Sequence, residues 1–111
     1  MNDLKGKTAI VTGASRGIGK AIASTVASLG INVAIAARSA GPLKETAEEI
    51  NKKYKVEVLP VVCDVTKLKD LENLVNKTKE KFGKIDILIN NAGVSSQYPF
   101  EKQPFEDFEN L

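Results

Sequence analysis

The stretch of this chain best equipped for chemistry is Thr12-Gly13-Ala14-Ser15-Arg16-Gly17-Ile18-Gly19. Its glycines let a backbone turn sharply and approach a ligand with no Cβ in the way. A short apolar run, Thr8-Ala9-Ile10-Val11, leads into it. After it, Ile18, Ile22, Val26 and Leu29 recur at helical spacing. Strand, glycine turn and helix in that order aim unpaired backbone N–H groups and a partial positive charge at one point. A pyrophosphate suits that point. The common dinucleotide fingerprint, G-x-G-x-x-G, does not fit, because after Gly17 and Gly19 its third glycine falls on Ile22. The spacing present is Gly13-xxx-Gly17-x-Gly19.

A second motif lies farther along. Ile85-Asp86-Ile87-Leu88-Ile89 reads as a buried strand and ends in Asn90-Asn91-Ala92-Gly93. With the glycine spacing, this tetrapeptide resembles the short-chain dehydrogenase/reductase family, and among its members those like 3-oxoacyl-acyl-carrier-protein reductase. The resemblance runs from Gly6 to Leu111. It implies a bound dinucleotide and hydride transfer between NADPH and a carbonyl or alcohol. It places cofactor contacts at Gly13, Ser15, Arg16, Gly17, Ile18, Gly19, Asn90, Asn91, Ala92 and Gly93. In the family the asparagine motif also stabilises the central sheet.

The elements that position these motifs alternate. Apolar runs predict strands at about 7–12, 31–37, 56–62 and 85–89, and helical periodicity predicts helices at about 17–29, 41–53 and 67–82. The second helix starts near Pro42 and shows Leu43, Ala47 and Ile50 on one face. Thr66 is the expected cap of the third. Gly30 and Gly83 stand where helices should end, and Pro104 with Glu106 and Asp107 reads as the start of one more helix. Continuous apolar strands imply a parallel sheet covered on both faces. Right-handed crossovers then give an α/β, Rossmann-type doubly wound sheet in order 3-2-1-4, with the first two helices on one face and the third on the other. The crevice lies where the first and fourth strands diverge. Residues 1–111 read as one dinucleotide-binding domain, incomplete relative to the family.

The end of the second strand bears on the kind of dinucleotide. An NAD enzyme usually has an acid there to hold the ribose hydroxyls. This chain reads Ala36-Ala37-Arg38-Ser39, and Arg38 and Ser39 are the candidate cofactor contacts there. An acid would repel a 2′-phosphate, whereas an arginine grips one with charge-assisted hydrogen bonds. Arg16, in the glycine turn, is able to approach the same phosphate. In the family, basic residues at these two places go with NADP, so NADP(H) is expected ahead of NAD(H). Asp64-Val65, past the third strand, matches the family position that contacts the adenine; a turn aspartate ahead of a helix is the other reading.

Bulk properties exclude other classes. The 111 residues carry a net charge of +2, too little to imply nucleic acid. The lysines between Lys67 and Lys84 alternate with Asp70, Glu72 and Glu80, as on a solvated helix face. No apolar run is long enough to span a membrane. The first residues lack a secretory layout, so a cytoplasmic location is expected. There is no histidine, and Cys63 is the single cysteine, which leaves no internal disulfide and no expected metal site. Cys63, at the end of an apolar run, reads as a small buried hydrophobe.

The family's catalysis uses Ser, Tyr and Lys, with the last two as Tyr-xxx-Lys on a later helix. Tyr98-Pro99-Phe100-Glu101-Lys102 imitates that spacing, but Pro99 interrupts the helix it needs, and no serine lies a dozen residues before it. Asn110 falls short of the family asparagine. No catalytic residue is therefore assigned. The resemblance implies the cofactor-binding part of an oxidoreductase, acting on a small carbonyl or alcohol, with a homo-oligomer as the complete protein. A stand-alone nucleotide-binding or sensing module, and a non-functional truncated product, are the alternatives.

Overall fold

The computed structural model describes residues 4–91. The elements run β1 (Thr8–Thr12), α1 (Gly17–Ser28), β2 (Asn32–Ala37), α2 (Ala40–Tyr54), β3 (Val58–Val62), α3 (Leu68–Phe82) and β4 (Ile87–Asn90). The sheet order is β3-β2-β1-β4. Every pairing is parallel, with Ile10 opposite Ala34 and Leu88, and Ala34 opposite Leu59. The expected topology is the one observed.

Burial shows why the middle of β1 and all of β2 after Asn32 are apolar. Ala9, Val11, Val33 and Ile35 pack with Ala23, Val26, Leu43 and Ile50 of α1 and α2. Ile10, Ala34 and Ala36 pack with Val61 and Leu74 on the α3 side. Alternate residues of one strand thus enter two different cores. The two sheet edges differ. Pro60, on β3, has no N–H to offer a ladder and is tolerated because β3 is an edge. β4 presents Ile87, Leu88 and Ile89, all half-buried, at the other edge.

Several local expectations need correction. The stripe Ile18, Ile22, Val26 and Leu29 faces the core only in part, through Val26 and Ile22. Gly19, Ala23, Val26 and Ala27 are buried, while Ile18 is 71% exposed and Leu29 51%. The helix lies so close to the sheet that small residues take the inner face. Nor does Thr66 cap α3, which starts at Leu68 with Lys67 before it and no side-chain cap. The Thr66 hydroxyl donates to Asp64 Oδ1 instead. β4 begins at Ile87 rather than 85, because Asp86 closes the bottom of the ladder: its carboxylate accepts the Thr8 N–H at 2.9 Å and its N–H donates to the Thr8 carbonyl at 2.9 Å. α2 ends without a glycine, on Lys55 at φ 58°. Asn51 Nδ2 donates to the Val56 carbonyl beside it at 2.8 Å. Gly83 ends α3 with φ 84°, as its position implies. Pro104, Tyr98, Lys102 and Asn110 lie outside the described residues.

Candidate cofactor site

The C-terminal ends of three strands surround a cavity of about 530 Å³. The turn after β1 contributes Gly13, Ser15 and Arg16. The end of β2 contributes Ala37, Arg38 and Ser39. The end of β3 contributes Cys63, Asp64, Val65 and Thr66. Seven residues expected from sequence as cofactor contacts therefore meet around one space. Gly17, Ile18, Gly19, Asn90 and Asn91 are not among its lining residues. Ala92 and Gly93 lie outside the described residues.

The glycine turn depends on close approach. Gly13 and Gly17 hold positive φ, at 63° and 60°. Gly19 is needed for a different reason: a Cβ there would stand 1.8 Å from the Gly13 carbonyl oxygen and 2.7 Å from Asn91 Nδ2. Asn91 Nδ2 donates to the same Gly13 oxygen at 3.4 Å. Thr12 Oγ1 donates to Asn90 Oδ1 at 2.8 Å. The two asparagines thus tie β4 to the top of β1 and the turn, which is the sheet-stabilising role. The turn is held from β2 by the Ala14 N–H on the Ala36 carbonyl at 3.1 Å. From α2, Thr46 Oγ1 donates to the Ser15 carbonyl at 3.2 Å.

The helix ends carry different charges. α1 follows Arg16 and α2 follows Ser39; neither has a side-chain cap or an acid in its first turn. Their first N–H groups and dipoles stay available to an anion. Arg16 and Arg38, both exposed, stand beside them. α3 is the opposite case. Asp70 lies in its first turn and its Oδ2 accepts the Asp64 N–H at 2.9 Å. The cavity is thus electropositive at the β1 and β2 corners and not at the β3 corner.

At that third corner, Asp64 Oδ1 accepts the Thr66 hydroxyl at 2.6 Å and the Thr66 N–H at 3.0 Å. The hydroxyl first, then the backbone N–H, hold the carboxyl below the usual aspartate range against the opposing effect of burial; Lys67 and Arg38 add to the lowering. A carboxylate whose folded pKa is depressed contributes stability above its unfolded value, and that contribution is lost as pH falls through the folded value. Asp86 follows the same rule, with the Thr8 N–H as first cause. Thermal stability is therefore expected to hold down to about pH 4, the unperturbed aspartate value, and to fall only in more acidic buffer. Melting curves across that range check this; a loss beginning well above it contradicts the assignment.

Cys63 is 2% exposed. Burial first, then Asp70 and Asp64, push its thiol up to about 11. It stays protonated at neutral pH and is a poor nucleophile, in keeping with its reading as a small buried hydrophobe.

Sequence reasoning missed Thr46, Asp70, Thr66 and Ala37 as parts of this corner. Thr46 carried a signal, since it shares a helix face with Leu43, Ala47 and Ile50. A hydroxyl on an otherwise apolar face needs a partner.

The family model for short chain dehydrogenases matches residues 7–111. An uncharacterized oxidoreductase of Staphylococcus saprophyticus is 46% identical over 94 residues, which is 85% of this chain and 40% of that protein. An NADP-dependent 3-hydroxy acid dehydrogenase of Schizosaccharomyces pombe is 42% identical over 96 residues, 86% of this chain and 37% of that protein. Among solved structures, L-sorbose reductase from Gluconobacter frateurii, complexed with NADPH and L-sorbose, superposes with a TM-score of 0.81 at 36% identity, covering 94% of this chain and 40% of that one. A short-chain dehydrogenase from Burkholderia phymatum in complex with NAD gives 0.74 at 34% identity, covering 79% of this chain and 31% of that one. The chain spans about 40% of the length of the first of these relatives.

Proposed function

The chain belongs to the short-chain dehydrogenase family, and we propose that it is the NADP(H)-binding part of an oxidoreductase that interconverts a carbonyl and an alcohol. The observation that carries this reading is the cavity flanked by two acid-free helix ends, with Arg16 and Arg38 on its wall. Arg38, Arg16 and the uncapped Ser39 hydroxyl suit the dianionic 2′-phosphate that distinguishes NADP from NAD. The turn from Gly13 to Gly19 suits the pyrophosphate. Asp64 and Val65 suit the adenine, because Asp64 Oδ2 keeps acceptor capacity for an amine while Oδ1 is engaged by Thr66. The exposed Ile18 offers apolar surface at the start of α1.

When bound, the nicotinamide supplies or accepts the hydride. The residues of this chain bind and orient the cofactor. The groups that exchange the proton and select the carbonyl or alcohol belong, on this reading, to the part of the relatives that the chain does not span. The half-buried β4 edge suits pairing with a further strand. A homo-oligomer and a cytoplasmic setting go with the same reading.

Titration of the full-length protein with NADPH and NADH, together with turnover of a carbonyl panel, tests the proposal. Tighter NADPH binding with turnover supports it. Tight NADPH binding without turnover replaces the enzyme with a nucleotide-binding module. No binding of either cofactor overturns it.

A further inference from the structure

Two helix threonines are fully buried, and they use their hydroxyls differently. Thr78, in α3, donates to the Leu74 carbonyl one turn back at 2.7 Å, the usual choice for a threonine inside a helix. Thr46, in α2 and 1% exposed, donates across to the Ser15 carbonyl in the glycine turn at 3.2 Å. A peptide unit is planar, so fixing the Ser15 carbonyl also fixes the Arg16 N–H on the other side of that plane. Arg16 is the extended residue, φ −166° and ψ 170°, from which α1 starts. Thr46 belongs to the helix that follows Arg38 and Ser39. One hydrogen bond therefore joins the segment bearing one arginine of the cavity to the helix that begins beside the other.

We propose that Thr46 is a positioning residue for cofactor selection: its hydroxyl sets the Ser15–Arg16 peptide so that Arg16 shares the 2′-phosphate with Arg38. This rests on the NADP reading above. Thr46 lies outside the lining of the cavity and acts through Ser15. Both cofactors use the turn for their pyrophosphate, but only NADPH also uses Arg16. Loss of the hydroxyl must then weaken NADPH more than NADH.

The test is fluorescence titration of the full-length protein with each cofactor, in wild type, Thr46→Val and Thr46→Ser. Thr46→Val removes the donor and leaves a carbonyl unpaired, and it is expected to raise the NADPH Kd about tenfold and the NADH Kd about threefold or less. Thr46→Ser keeps the oxygen and should restore the wild-type ratio. If Thr46→Val does not fold, Thr46→Ala is read in the same way; failure of both to fold makes Thr46 a stability residue and overturns the proposal. A merely structural role would weaken both cofactors equally, and that result also overturns it. A wild-type preference for NADPH that is undiminished in Thr46→Val removes the positioning role alone. A wild type without preference removes the NADP reading, and this inference with it.

Discussion

Arg38→Asp is expected to abolish or reverse the preference for NADPH. A hydrogen bond to a charged group is worth about 1.5–3 kcal/mol, so losing the arginine costs about 10- to 150-fold in NADPH affinity. The new carboxylate adds repulsion toward the 2′-phosphate and supplies an acceptor for the ribose hydroxyls of NADH. The two affinities should therefore move in opposite directions. Arg16→Ala should lower NADPH affinity less, with NADH little changed, because Arg38 and the acid-free start of α2 remain. Dissociation constants for both cofactors check this. They belong at one fixed ionic strength, because salt screens exposed charges. Arg38→Asp with an unchanged ratio would make Arg38 a surface residue.

Gly19→Ala is expected to damage the protein, although alanine usually stabilises a helix by about 0.5–1 kcal/mol over glycine. The new Cβ would fall 1.8 Å from the Gly13 carbonyl oxygen. That neighbour is backbone and cannot turn away as a long side chain would. Overpacking of this kind costs about 1–3 kcal/mol and outweighs the propensity gain. The turn has to shift, and with it the contact from Asn91 Nδ2 to Gly13. NADPH binding should fall by about two orders of magnitude, the effect of a misplacement on the order of an ångström in a binding turn that must be held in place. Gly41→Ala is the control for stability. It is also in a helix and, apart from its chain neighbours, has nothing within 4 Å of a Cβ; the restriction that Pro42 places on the residue before it offsets the helix gain of alanine, so the net change should stay within about 1 kcal/mol. Melting temperatures of the two variants separate the cases; equal behaviour would mean that the close approach at Gly19 carries no weight.

The sheet was legible because strands buried on both faces need continuous apolar runs: Ala9-Ile10-Val11 in β1 and Val33 to Ala37 in β2 are such runs, with Thr8, Thr12 and Asn32 only at the strand ends. Helix spacing was legible for the same reason, but not which face is buried. Ile18 and Ala23 both fit a helical period. Counting large side chains favours Ile18, whereas the narrow gap between α1 and the sheet selects Gly19 and Ala23. Local polar contacts were legible where only one partner was on offer. Thr66 had two, the start of α3 and Asp64, and the carboxylate took its hydroxyl. At the site, the residues tied to a turn or strand end, among them Gly13, Arg16, Arg38 and Asp64, meet around one cavity. Thr46 and Asp70 reach that corner from neighbouring helices. Such contacts depend on how elements pack and not on a motif, so no local pattern names them.

On the reading proposed above, two arginines on one cavity wall make this an NADP(H) site. The most direct measurement is the pair of dissociation constants of the wild-type, full-length protein for NADPH and NADH, taken in one buffer by one method. NADPH is expected to bind tighter by about tenfold or more, the value of one charge-assisted hydrogen bond. NADH bound as tightly as NADPH, or more tightly, contradicts it.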